Sequence, residues 1–269
     1  MVTVSRTTRL LLWGALGVGL AVIYFPLLLV LLNSFNADTS FGWPPSSLTL
    51  EWWTRVTGNA GALSALWTSV RAGVAATAIA LVLGTMAAFA LQRYRFYGRN
   101  SVSLLLVLPI ALPGIVTGIA LNNAFRTILG LGLGLFTAIV AHATFCIVVV
   151  FNNVVARLRR MGSSLEEASM DLGADGITTF RLVTFPMLRS ALLAGGLLAF
   201  ALSFDEIIVT TFTLGAGLET LPIWILNNLF RPNQAPVVNV VAAVLVVVST
   251  VPVYLAQRLS GGTSGGGRL

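Results

Sequence analysis

The sequence predicts an all-α, polytopic membrane protein with six transmembrane helices. Of its 269 residues, 57% are hydrophobic and 9% are charged, whereas a soluble domain carries about 25% charged residues. Six apolar runs are long enough, at roughly 20 residues each, to cross the hydrocarbon core of a bilayer. The charged residues lie mainly in the segments between these runs. Lipid is therefore the expected surrounding for most of the chain.

The predicted spans follow the apolar runs in chain order. They lie near residues 10–32, 67–91, 103–125, 133–151, 189–210 and 237–257. The first run is too long for the core of a signal peptide, and no small-residue cleavage site follows it. It is therefore predicted to be a retained span that follows a cytoplasmic segment, residues 1–9. The transmembrane domain covers residues 10–257, and the glycine-rich residues 258–269 are predicted to form a flexible cytoplasmic tail.

The arginines predict the orientation of the chain in the membrane. With the N-terminus inside, twelve of the 16 arginines fall on the inner side and four on the outer side. Positive residues favour the cytoplasmic side of a membrane, so both termini are predicted to be cytoplasmic. The four outer arginines are Arg55, Arg71, Arg126 and Arg231.

Several classes of function are disfavoured by what the composition lacks. The chain has no lysine, so it has no P-loop lysine, and any ATP must be bound by another subunit. One cysteine and one histidine give no metal-ligand spacing, and no nucleophile motif of the G-x-S-x-G type is present. The arginines do not cluster on a soluble face, so nucleic acid is not an expected partner. No metal, cofactor or catalytic residue is predicted in this chain.

The third predicted span contains the string "LPIALPG", with Pro109 and Pro113 four residues apart. Each proline removes a backbone donor and kinks a helix. Broken helices at membrane depth often line a polar cavity. A kink that serves only helix packing is an equally good interpretation, so we predict the kinks near a pathway without assigning a role.

An inner loop, residues 152–188, is predicted to form a helix, a glycine turn and a second helix. Ser163 or Ser164 can cap the first helix, and Ser164 and Glu167 have the spacing of a capping box. Gly173 is expected to end this helix. The second helix is predicted from Asp175 to Val183, with Pro186 ending it and starting the next span. The apolar face of this unit is too small for a core of its own. It either docks into a partner or caps its own helical bundle.

The residues of this loop carry a family resemblance. Glu167-Ala168-Ser169, three residues, Gly173, nine residues, Val183, one residue and Phe185-Pro186 resemble the EAA loop of ABC importer permeases. The spacing is kept, and the departures are Ser169 for Ala, Val183 for Ile and Phe185 for Leu. The resemblance implies a coupling helix that sits in a cleft of a cytoplasmic ATPase. The implied coupling residues are Glu166, Glu167, Ala168, Ser169, Asp171, Leu172, Gly173 and Pro186.

Further strings, among them "LGTMAAFALQRYRF" and "SFDEIIVTTF", are similar to spermidine/putrescine-type permeases. This resemblance implies a type I importer fold, a bacterial plasma (inner) membrane location and alternating access driven by partner ATPases. The implied partners are a second, different permease chain, two ATP-binding subunits that hold ATP and Mg²⁺, and an extracytoplasmic substrate-binding protein. Another small solute, such as an amino-acid-like compound, thiamine or iron(III), remains an alternative substrate.

Two rivals come from other classes of protein. An ion-gradient transporter usually has an internal repeat and buried ionisable relays, and the chain shows no repeat and one acidic pair. An intramembrane enzyme needs a nucleophile or metal constellation, which the sequence lacks. Both are therefore less favoured than an importer subunit.

The acidic pair, Asp205 and Glu206, contains the only acids inside a predicted span. Ionisable groups at such depth are costly and are candidates for function. On a continuous helix Glu206 shares a stripe with Ser203 and Thr210, whereas Asp205 shares one with apolar residues. We predict a substrate pathway at Ser203, Asp205, Glu206 and Thr210; a structural pairing with an outer arginine is the alternative. The single histidine, His142, is predicted to hydrogen-bond between helices rather than to relay protons.

Overall fold

The computed structural model describes residues 5–39, 44–231 and 234–261. These residues are mostly helical, as the composition predicts, and they form no strand beyond one isolated bridge between Asn36 and Leu48. The helices, in chain order, are α1 (Arg6–Asn33), α2 (Glu51–Thr57), α3 (Ala60–Arg93), α4 (Arg99–Ala111), α5 (Gly114–Asn123), α6 (Leu135–Met161), α7 (Ser164–Asp171), α8 (Gly176–Thr179), α9 (Phe185–Phe204), α10 (Ile208–Thr213), α11 (Leu221–Leu229) and α12 (Ala235–Gly261). Two π-helical segments, Ala124–Ile128 and Phe180–Thr184, follow α5 and α8.

Four helices of the described residues are long and apolar enough to cross a membrane. They are α1, α3, α6 and the continuous helix Gly176–Phe204. A fifth crossing is counted if α4 and the helix Gly114–Ile128 form one bent span. The apolar segment Ala235–Val248 of α12 is shorter. The structure therefore supports four or five spans by length and composition, and the predicted count of six is not confirmed.

The third predicted span, near residues 103–125 and with kinks expected at Pro109 and Pro113, is sharply bent at the second of these prolines. The chain turns by 106° between α4 and the helix that starts at Gly114. Leu112 is extended, with ψ 145°, and Pro113 takes the N-cap position of α5. The physical reason is that the ring of a proline disfavours the helical conformation for the residue before it, and at Leu112 the extended conformation is adopted. Pro109, in contrast, lies inside α4.

Other element boundaries also differ from the sequence prediction. The helix of the sixth predicted span, α12, extends to Gly261, so residues 258–261 are helical rather than part of a flexible tail. The residues just before the glycines include Leu255, Ala256, Gln257 and Arg258, which are strong helix formers. Residues 262–269 of the predicted tail and residues 1–4 of the predicted N-terminal segment lie outside the described residues. The inner loop is shorter than predicted, because α6 continues to Met161.

The described residues divide into two compact units. The larger comprises Leu63–Trp224 and the described part of the chain from Ser249. Within it, α6 packs along α9, and α10 packs against α5 and α6. Gly84 allows the backbones of α3 and α6 to approach closely. A Cβ added at Gly84 would lie 2.9 Å from the carbonyl oxygen of Ile147 on α6. Small residues at such contacts are the usual means of packing helices in lipid.

The smaller unit comprises the described part of Met1–Ala62 together with Ile225–Val248. Its short helix α2 is attached by Trp52, whose indole N–H donates to the carbonyl of Asn36 at 2.9 Å. Phe35 and Trp53 stack with ring centroids 5.3 Å apart, and the guanidinium of Arg55 lies 4.9 Å above the Trp52 ring. Aromatic contacts therefore fix the segment that follows α1.

Candidate functional site

The first candidate site is the loop between α6 and α9, with the predicted coupling helix α7 at its centre. Glycines in the left-handed region bound α7: Gly162 has φ +66° and Gly173 has φ +88°. A side chain at either position would strain the backbone. Gly173 ends α7 as the sequence predicts, since Leu172 is the C-cap residue.

The predicted capping box of α7 is wrong. The N-cap residue is Ser163 rather than Ser164, and its side chain makes no capping hydrogen bond. The backbone N–H of Glu167 instead donates to the Ser163 carbonyl at 2.9 Å. Glu166 and Glu167 still lie in the first turn, where carboxylates stabilise the positive end of the helix dipole.

The loop presents apolar side chains to its surroundings. Leu172 is 90% exposed and Ile177 is 78% exposed. Leu165 and Leu182 are also exposed, and so is Ala168. A unit that capped its own bundle would bury such residues, whereas contiguous exposed apolar surface is typical of an interaction site. The geometry therefore favours docking of this loop into a partner.

The second half of the loop is a helix that enters the next span without a break. Asp175 is the N-cap residue of α8, and its carboxylate accepts from the backbone N–H of Thr178 at 2.8 Å. Hydrogen bonds from the side chain and then the backbone of Thr178 lower the pKa of Asp175 below its ordinary value. The prediction that a helix starts here agrees with the structure, and the capping side chain explains it.

The prediction that Pro186 ends this helix is wrong, whereas its predicted place at the start of the next span agrees with α9, which begins at Phe185. Residues Gly176–Phe204 form one continuous helix, and Pro186 lies in the first turn of α9. The π-helical segment Phe180–Thr184 precedes it, and the N–H of Phe185 donates to the Phe180 carbonyl. A π turn inserts one extra residue into the hydrogen-bond ladder. This shift of register accommodates a residue that has no N–H to donate.

Charged and polar contacts tie α7 to the helices around it. Arg93, the last residue of α3, places Nε 2.8 Å from Oε2 of Glu166. Its Nη2 donates to the Gly162 carbonyl at 2.8 Å. The Thr184 hydroxyl donates to Oε1 of Glu166 at 2.9 Å. The sequence analysis placed Glu166 at the site but did not identify Arg93 or Thr184. An arginine that follows an apolar run indicated only which end of the span is cytoplasmic.

The second candidate site is a break in the helix at the acidic pair. The helix α9 ends at Phe204, Asp205 is its C-cap residue, and α10 begins at Ile208. The prediction of a continuous span over 189–210 is therefore wrong. Glu206, Ser203 and Thr210 do not lie on one continuous helix, so helical periodicity does not place them on a common face. Asp205 is exposed and Glu206 is half-buried.

Glu206 stabilises the break by capping the second helix. Its Oε1 accepts from the backbone N–H of Val209 at 2.8 Å, and such contacts satisfy the free donors at a helix start. Its backbone carbonyl accepts from the Thr210 hydroxyl at 2.7 Å. Glu206 therefore stabilises the start of α10, and Asp205 is the more exposed of the two carboxylates.

His142 on α6 links the two sides of the break, as predicted for an interhelical hydrogen-bonder. It is fully buried, with Nδ1 2.7 Å from Oγ of Ser203 and Nε2 2.8 Å from Oγ1 of Thr210. Thr210 uses its one hydrogen on the Glu206 carbonyl, so Nε2 is the donor to Thr210. In a neutral ring Nδ1 then accepts from Ser203.

The predicted pathway residues thus come together, but they differ in access. Ser203 and Thr210 are 2% and 0% exposed, and their hydroxyls face His142. Asn122, on α5, donates to the Phe212 carbonyl of α10, which joins the bent third element to the same region. Within the described ranges, no group of three metal-ligating side chains is close enough to hold an ion.

Comparison with known proteins places these features in context. Residues 80–261 match the family "Binding-protein-dependent transport system inner membrane component". The chain is 34% identical over 252 residues to "Spermidine/putrescine transport system permease protein PotC" of Escherichia coli (strain K12), covering 94% of each chain. It is 32% identical over 254 residues to "Putrescine transport system permease protein PotI" of the same organism, covering 89% of this chain and 88% of that one.

The fold is also similar to a solved structure. A crystal structure of a bacterial ABC transporter involved in the import of the acidic polysaccharide alginate aligns with a TM-score of 0.71. The alignment covers 97% of this chain and 99% of that chain, at 18% identity. At that identity the likeness concerns the fold alone.

Proposed function

This chain belongs to the family of inner membrane components of binding-protein-dependent transport systems, and we propose that it is the permease subunit of an ATP-driven importer for the polyamines spermidine and putrescine. The observation that carries this function is the loop with the EAA-type spacing, which forms an exposed amphipathic helix between two glycines in the left-handed region. Relatives at 34% and 32% identity carry polyamine names. The chain itself is a transport component and not an enzyme.

ATP is bound and hydrolysed elsewhere in the proposed complex. The sequence holds no lysine for a P-loop, so two ATP-binding subunits would hold ATP and Mg²⁺. A second permease chain would complete the pathway, and an extracytoplasmic binding protein would deliver substrate. No cofactor is assigned to this chain.

The helix α7 is the proposed contact with the ATPase. Leu172 and Ala168 would fill an apolar cleft, and the exposed Glu167 would make a polar contact at its rim. A short amphipathic helix laid in a groove is a common mode of recognition. Closure of the ATPases would move α7, and this movement would drive alternating access of the spans.

We propose six spans with both termini in the cytoplasm. The bent element, α4 with the helix Gly114–Ile128, would be the third span, and α12 would be the sixth, since its 27 residues exceed the roughly 20 needed to cross the bilayer. The excess of arginine on the inner side supports this orientation. The proposed location is the bacterial plasma (inner) membrane.

The helix break at Asp205 and Glu206 is the proposed contact with substrate. Polyamines are cationic at neutral pH, so carboxylates at membrane depth are suitable partners. Asp205 is the more exposed of the two, and we assign it the direct contact. Glu206 would hold the shape of the break through Val209. Ser203 and Thr210 would support this geometry through His142.

Uptake of labelled spermidine and putrescine in cells that lack this chain tests the proposal. Wild type should restore ATP-dependent uptake. Glu167→Arg should abolish uptake with loss of ATPase co-purification, whereas Asp205→Asn should reduce uptake while the ATPase still co-purifies. Arg95→Gln, an exposed change outside both sites, is the control and should behave as wild type. If wild type restores no polyamine uptake, the polyamine assignment is refuted.

A further inference from the structure

We propose that Arg93, Glu166 and Thr184 form a brace that makes α7 move together with the spans on both sides of it. Glu166 is then a positioning residue for energy coupling, distinct in role from its neighbour Glu167. This inference rests on the proposed function of α7 as the contact with the ATPase. Its evidence is the geometry of the three side chains.

Both oxygens of the Glu166 carboxylate are engaged. Oε2 lies 2.8 Å from Arg93 Nε, and Oε1 accepts from the Thr184 hydroxyl at 2.9 Å. The side chains of Arg93 and Glu166 are 20% and 14% exposed, so solvent screens the pair less than it screens a surface ion pair. The contact with Arg93 is an ion pair by distance, and the hydrogen bond that the carboxylate accepts is the one from Thr184. A hydrogen bond to a charged group is about twice as strong as a neutral one.

The brace joins three different elements. Arg93 ends α3, a helix of 34 residues. Thr184 ends the π-helical segment that leads into α9. Glu166 lies in the first turn of α7. A displacement of α7 therefore acts on α3 and α9 through a single carboxylate.

The ends of α7 provide little stiffness of their own. Gly162 and Gly173 flank it in the left-handed region, and glycine is the most conformationally free residue. Arg93 also donates to the Gly162 carbonyl at 2.8 Å, which fixes one of these two pivots to α3. Ser169 adds one neutral contact, to the Thr179 hydroxyl at 3.0 Å. Among the described residues, the brace therefore contains the one ion pair between α7 and a span.

The brace also lies beside a groove of about 1200 Å³ in the larger unit, whose walls are mainly apolar and include Leu81, Met86 and Phe89. An apolar lining raises the strength of a charge contact at its edge. Glu167, in contrast, is exposed and has room for a partner. The two adjacent glutamates thus have different roles. Glu166 contacts the spans, and Glu167 is available to contact the ATPase.

The test uses the whole importer reconstituted in liposomes: this chain, its partner permease, both ATPase subunits and the binding protein. The measured quantity is ATP hydrolysed per polyamine imported. Glu166→Gln and Arg93→Gln should each raise this ratio about fivefold, the change expected when one partly buried charge contact is lost. The exchange Arg93→Glu with Glu166→Arg should bring the ratio back towards wild type. Arg95→Gln is the matched control for Arg93→Gln.

A merely structural role would lower assembly without changing the ratio in the complexes that form. A ratio within twofold of wild type for Glu166→Gln, on assembled complexes, overturns the inference. If Glu166→Gln does not assemble, Thr184→Val decides, because it removes one hydroxyl and keeps the shape: an unchanged ratio overturns the brace and a raised ratio supports it.

The outcome for the proposed function is read separately. If wild type shows no polyamine uptake and no ATPase binding, the proposed function is refuted, and the inference that rests on it is refuted with it. If wild type transports and Glu167→Arg loses the ATPase while Glu166→Gln keeps the wild-type ratio, only the brace fails.

Discussion

Replacing His142 by leucine tests the link across the helix break. The ring is fully buried and touches Ser203 on α9 and Thr210 on α10. Leucine is of similar size, so the substitution removes two hydrogen bonds and leaves little empty space. The effect on stability should therefore report the polar link rather than packing.

The magnitude follows from those two contacts. Interhelical hydrogen bonds in membrane proteins contribute about 0.6 kcal/mol on average and about 1.7 kcal/mol at most. Two such bonds give a loss of about 1–2 kcal/mol in the free energy of unfolding. Thr210 keeps its bond to the Glu206 carbonyl, so the Ser203 hydroxyl is the group that loses its partner.

The assay is unfolding of the purified chain by SDS titration in mixed micelles. Thr144→Val is the control, because the Thr144 hydroxyl donates to Ala141 in its own helix and should cost less than about 0.5 kcal/mol. A double-mutant cycle of His142→Leu with Thr210→Val should give a coupling of about 0.6 kcal/mol. Full additivity of the two substitutions would refute the reasoning.

Two further predictions concern packing and pH. Gly84→Leu should destabilise the chain by about 1–3 kcal/mol, because even a Cβ would come within 2.9 Å of the Ile147 carbonyl oxygen. The control is Gly14→Leu, since nothing lies within 4 Å of a Cβ at that position. Equal unfolding curves for the two variants would contradict the close contact at Gly84. The pKa of Asp175 is lowered from 3.8 by hydrogen bonds from Thr178, so its stabilisation of α8 is present above pH 3.8 and is lost as the pH falls through the lower folded-state pKa. The protection of the Thr178 amide, measured against its intrinsic exchange rate at each pH, should fall at acid pH in wild type but not in Asp175→Asn, whose amide side chain caps without ionising. Identical protection profiles would contradict the capping role.

Local features of the loop were readable because they depend on neighbouring residues. Gly173 breaks the helix through its own backbone conformation, and Asp175 caps a helix through an amide three residues away. The spacing from Glu167 to Pro186 identified the family without any knowledge of packing. The capping box failed because Ser163 and Ser164 are both acceptable candidates, and only the backbone conformation selects one of them.

The membrane class of this protein was determined by the sequence alone, because composition reports the surrounding that a chain requires. The tertiary structure decided how the helices break and what ties them together. The features it decided include the 106° turn after α4, the break at Asp205 and the π segment Phe180–Thr184 that precedes Pro186. Each depends on hydrogen bonds that alternative local conformations satisfy equally well. The partnership of Arg93 with Glu166 joins residues far apart in the chain. Only the packing of α3 against the loop brings their charges within reach, and no local pattern records that distance.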